Sequence, residues 1–153
     1  MALKPGRRVT DGSDISYFMN ATAERGIAVI HTNATTGLGE AMDDANHVVA
    51  IPASSGGTPA GILMNDVVDL DLTRQHLNQH QDEVQVNGKV TVLTNGWCVT
   101  NMIAAGVSPS GGETAYFTDN GNLTNVDGSS PAVGKFIGSK DADGYIKVQV
   151  NLP

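Results

Sequence analysis

The sequence predicts an all-β fold: a small β-barrel or sandwich of short antiparallel strands, preceded by an extended N-terminal arm. Three observations carry that prediction. Charged residues make up only 16% of the 153 residues, against roughly 25% in an ordinary globular protein. Eighteen glycines, with many Ser, Thr and Asn, stand where a helical protein would carry Glu and Lys. Short runs of β-branched and apolar residues alternate with turn residues along most of the chain. The length suits one compact domain with a proper core.

Taken in order, the first residues stand apart. Pro5, Gly6 and the basic cluster Lys4, Arg7 and Arg8 bring little apolar content, and Ile15, Tyr17 and Phe18 then supply a small apolar group. Residues 1–23 therefore read as an arm loosely held in the free monomer, and residues 24–153 as a single β-rich domain. Tyr17 and Phe18 are two of only six Phe and Tyr residues. Two placements fit them: docking on a neighbour, or folding back onto their own domain.

From Arg25 onward the strand pattern is plain. Gly26 to His31, His47 to Ile51, Gly61 to Met64 and Val67 to Leu72 read as strands, each set off by Gly, Pro, Ser or Asn. Lys89 to Leu93 and Trp97 to Thr100 read as two strands joined by a hairpin at Asn95-Gly96. Gly134 to Ile137 and Tyr145 to Val150 flank a second hairpin at Asp141-Ala-Asp143-Gly144; in the last strand Tyr145, Lys147 and Gln149 face away from Ile146, Val148 and Val150. Thr73 to Glu83 fits either a short helix capped by Thr73 and anchored by Leu77, or a polar loop.

Composition narrows the function. The net charge is −7 and the nine Lys and Arg cluster only at the N-terminus, so a nucleic-acid role for the body is not expected. The single Cys98, in the apolar run Trp97-Cys98-Val99, cannot form an internal disulfide and reads as a buried structural thiol. No apolar h-region follows the basic start and no apolar run nears the length of a membrane span, so the sequence predicts cytosolic synthesis and no membrane partner.

Patterns that carry chemistry are thin. His76 and His80 would share a helix face at spacing i, i+4 and could hold a metal with Asp82 or Glu83, but Leu77 stands where a zincin has Glu. The surrounding Gln and Asn residues favour a solvated contact surface. Asp69 and Asp71 fall on one face of a strand whose other face carries Leu70 and Leu72, as a half-exposed strand requires. Asp141 and Asp143 resemble the start of a calcium loop, yet the Gly is misplaced for an EF-hand and the closing Glu is missing; a turn explains them better. No catalytic residue, cofactor or metal site is assigned.

The stretches Glu24-Arg-Gly-Ile-Ala-Val29, Gly61 to Leu72, Gly88 to Trp97 and Pro131 to Val150 look familiar as a set. They resemble the small decoration, or cement, proteins of tailed-phage capsids, over most of residues 24 to 150. The resemblance lies in a glycine-punctuated strand pattern. It implies a non-enzymatic virion protein that sits on the capsid exterior, binds the major capsid protein and cements its subunits, as a trimer or dimer at symmetry axes. An arm can add a strand to a neighbour's edge, and Ile15, Tyr17 and Phe18 are the expected capsid contacts. The rival is a carbohydrate- or receptor-binding module of a fibre or baseplate, with Trp97, Tyr116 and Phe117 as its stacking platform.

Overall fold

The computed structural model describes residues 9–32, 48–52, 57–66, 70–71, 76–77, 83–84, 86, 88–128 and 130–152. Its strands are β1 (Val9–Met19), β2 (Ala23–Glu24), β3 (Ala28–Thr32), β4 (Val48–Ala50), β5 (Pro59–Asp66), β6 (Leu70–Asp71), β7 (His76–Leu77), β8 (Glu83–Val84), β9 (Lys89–Thr100), β10 (Thr114–Phe117), β11 (Leu123–Thr124), β12 (Gly134–Phe136) and β13 (Ile146–Asn151). No helix occurs among the described residues, so the fold is all-β as expected. The ladders are antiparallel except for β1 and β4, which pair in parallel through Phe18–Val48 and Met19–Val49.

The strand order closes on itself around β9. β1 pairs with β4, β4 with β3, β3 with β5, β5 with β9, and β9 returns to β1, making a five-stranded ring. Its inside is filled by Met19, Val29, Val49, Leu63, Val90 and Val92. At one end the N–H of Met19 donates to the Gly88 carbonyl and that of Asn20 to the Val49 carbonyl. β9 thereby has partners along both of its edges.

β9 is long enough to serve two rings. One of its edges carries β1 from Lys89 to Trp97. The other carries β5 along Val90 to Leu93 and then β13 along Asn95 to Thr100. From β13 the sheet continues through β12 and β10 to β11. The chain leaving β9 then pairs with β11: the Leu123 N–H donates to the Met102 carbonyl and the Ala104 N–H to the Leu123 carbonyl. A second ring results, packed with Cys98, Phe117, Leu123, Phe136, Val148 and Val150. Phe117 and Phe136 are each fully buried, worth roughly 1.5–3 kcal/mol apiece.

Asn95-Gly96 is where sequence and structure part. β9 runs straight through it with no hairpin, Gly96 pairing with Thr10 on one side and Val150 on the other. Partners on both edges hold the strand extended over twelve residues, and this non-local pairing overrides the local turn preference. The positive φ of Gly96, 131°, accompanies an irregularity instead: β1 steps from Asn95 to Leu93 and passes over Thr94. Such a bulge reverses the alternation of faces. Val90 and Val92 therefore point into the first ring, while Leu93 and Cys98, of opposite parity, both line the second core.

Ala28, Ile62, Met64 and Leu93 form the wall between the two cores. Polar groups fasten the same seam. The Thr100 hydroxyl donates to the Gly26 carbonyl at 3.2 Å and accepts from the Met102 N–H at 3.0 Å, and the Ala28 N–H donates to the Gly121 carbonyl. At Thr73 to Glu83, the described residues exclude a continuous helix: His76–Leu77 pairs with Leu70–Asp71, and Glu83–Val84 with Ala23–Glu24.

Candidate functional site

The candidate surface begins with the residues expected to contact a neighbour. Ile15 falls in β1 between Asp14 and Tyr17, where the ladder to β9 slips by one residue; its side chain lies outside the described part. Tyr17 is half-buried against the first core, its ring 5.6 Å from that of His31 at 56°. Tyr17 and His31 line a groove of about 420 Å³ together with Thr94, Pro131 and Leu152. Phe18 is also half-buried, with the Lys89 ammonium 6.0 Å from its centroid. Tyr17 and Phe18 are thus each partly exposed, and β1 lies along β9 of its own chain.

The remaining patterns are placed as follows. A strand at His76–Leu77 removes the shared helix face on which a His76–His80 metal site depended, and His80, Asp82 and Asp69 lie outside the described residues. Among the described residues no three His, Cys, Asp or Glu side chains converge. Asp141 makes the turn expected of it. Its Oδ1 accepts the N–H groups of Asp143 at 3.0 Å and Tyr145 at 2.8 Å, and its carbonyl accepts from Gly144, whose φ is 84°. Cys98 is fully buried, as read from its apolar surroundings. Among the described residues no helix is long and apolar enough to cross a membrane.

The stacking platform does not assemble. Phe117 is 2% exposed and belongs to the second core, because it alternates with the outward Tyr116 along β10. Trp97 has the Lys147 ammonium 3.8 Å from its ring centroid, which occupies that face of the indole.

Beyond β10 three loops are tied into one end of the second ring. Glu113 Oε2 accepts from the Ser110 N–H and from Asn125 Nδ2, both at 2.8 Å, and Lys140 Nζ donates to the Val107 carbonyl at 2.6 Å. These bonds, the Ser110 one first, hold the Glu113 carboxyl below its ordinary pKa of 4.5. Val126 and Ile137, 61% and 45% exposed, belong to the loops at this end. Neither this tied end nor the outward row on β10, β12 and β13 is legible in the sequence. The alternation of Lys147 and Gln149 against Ile146 and Val148 was visible, but nothing local reveals which strands lie beside them.

Two β-rings that share β9, with Val126 and Ile137 exposed on the loops at one end, make up the described body. The chain matches the family model of the phage structural cement protein (E217 gp24/Pam3 gp6) over residues 7–151, and it belongs to that family. A search among curated proteins found no match. The chain is thus a structural protein of the phage virion, in a family whose name implies association with capsid proteins.

Proposed function

We propose that this protein binds the outer surface of a tailed-phage capsid and cements contacts between major capsid protein subunits, without catalytic activity of its own. The observation that carries the reading is the cement-family match across nearly the whole chain. The physical features agree with it. Two rings sharing β9 make a stiff body in which a load on one wall passes directly to both cores. Residues 1–23 serve as the arm, folded back so that β1 forms a wall of the first ring, and 24–153 as the body. The arm lies along β9 and presents the uncovered parts of Tyr17 and Phe18, with Ile15 beside them in the slipped stretch of the ladder, to the capsid. Attachment at lattice axes favours a trimer or dimer, since cyclic assemblies match those symmetries.

Capsids stripped of this protein provide the test. Purified chain added back should co-sediment with them and raise the temperature at which they release DNA. Add-back protein that stays in the supernatant would contradict the reading. Binding to a glycan array without binding to capsids would favour a receptor-binding module instead.

A further inference from the structure

The outer face of the second ring carries a feature that its strand pattern makes unusually regular. Thr114, Lys135, Gln149 and Trp97 stand at one level on four consecutive strands, β10, β12, β13 and β9. At about 4.8 Å between strands the row spans roughly 14 Å. The outward residues of β10, β12 and β13 are Thr114, Tyr116, Lys135, Lys147, Gln149 and Asn151, and none of them is acidic. In a chain of net charge −7 this face has the opposite sign to the molecule as a whole.

The face also holds a concavity of about 360 Å³, lined by Thr114, Gly134, Lys135, Gln149 and Asn151 with Ala132 at its rim. Its floor is backbone, because Gly134 packs so close to β13 that a β-carbon there would stand 1.9 Å from the Gln149 carbonyl oxygen. Around that floor are a hydroxyl, an ammonium and two primary amides, all able to donate. Among the described residues these four side chains make no hydrogen bond within the chain. Beside them the Lys147 ammonium is held over Trp97, so its charge is positioned before any partner arrives.

We propose that this concavity receives an acidic side chain, Asp or Glu, from the major capsid protein, and that the row from Thr114 to Trp97 is a docking face. The inference rests on the capsid-binding reading and adds the surface and the partner's chemistry. A carboxylate satisfies the donors and the charge at once, whereas elsewhere the acidic body repels it. At the end of the row Lys147, held on the Trp97 ring, adds a second positioned charge.

The test is co-sedimentation of wild-type chain, Lys135→Glu and Lys135→Gln with stripped capsids, each variant checked by thermal melt and by light scattering for its oligomeric state. Lys135 is exposed, so both variants should melt like wild type. Wild-type binding should weaken as salt rises, Lys135→Glu should bind at least about tenfold more weakly, and Lys135→Gln should fall between. Wild-type affinity in Lys135→Glu overturns the docking face while leaving capsid binding intact. Loss of binding only through a changed oligomeric state also overturns it, by assigning the face to a second copy of the chain. A wild-type chain that fails to bind capsids at all defeats the underlying capsid reading instead.

Discussion

Gly61 lies so close against Leu93 that a β-carbon on it would stand 2.3 Å from the Leu93 carbonyl oxygen and 2.6 Å from Val92 Cγ1. The contact falls where β5 meets β9, between the core of the first ring and that of the second. The Gly61 φ of 146° adds a conformation that L side chains rarely adopt. Backbone and a β-branched side chain form the obstacle, so the crowding is not relieved by moving a flexible tip. Gly61→Ala should therefore destabilise the fold by about 2–4 kcal/mol, combining strain and overpacking. Chemical denaturation of the variant beside wild type measures it.

Glu113 makes stability depend on acid in a defined direction. Its carboxyl sits below the ordinary value because the Ser110 N–H, and then Asn125, donate to the charged form. A depressed folded-state pKa means that the unfolded chain takes up the proton first. The contribution is therefore present above about pH 4.5 and is lost as pH falls through the folded value. Glu113→Gln should flatten this part of the dependence. The check is Tm against pH from 7 down to about 3 for both proteins, the two curves converging at the acid end.

Cys98 is enclosed by the second core and should behave as a packing residue. A thiol reagent should leave it unmodified in the native protein and label it at the rate at which the second ring opens. Labelling at the rate of an exposed thiol in buffer would show that the ring is not closed as described.

Trp97 is the sole tryptophan, so the contact with Lys147 has its own optical reporter. Lys147→Met keeps the aliphatic stem and removes the charge. It should shift Trp97 emission and cost about 0.5–1 kcal/mol, as a partly exposed cation–π contact does. An unchanged spectrum would mean that the ammonium does not rest on the indole in solution.

The elements most legible in the sequence were those whose alternation faces one core. Tyr145 to Val150 reads directly as β13, and the Asp141 turn before it follows from Asp and Gly chemistry. β9 was legible only in halves. Its continuity through Asn95-Gly96 depends on β1 and β13, which lie about eighty residues before and fifty after it, and no local propensity encodes such partners. The closure of the second ring was hidden for the same reason: Met102 and Ala104 look like loop until Leu123 is placed beside them. β1 was obscured by its composition, since Thr10, Asp11, Gly12 and Ser13 suit a solvated tail better than a barrel wall. The docking row needed the registers of four strands, whereas its single residues look like ordinary exposed positions.

The most direct measurement of the central claim is a cryo-EM map of the particle that carries this protein. Density for the double ring is expected on the capsid exterior, repeated at lattice symmetry axes and touching more than one major capsid subunit. A map that resolves the capsid fully and shows its exterior free of this density would contradict it.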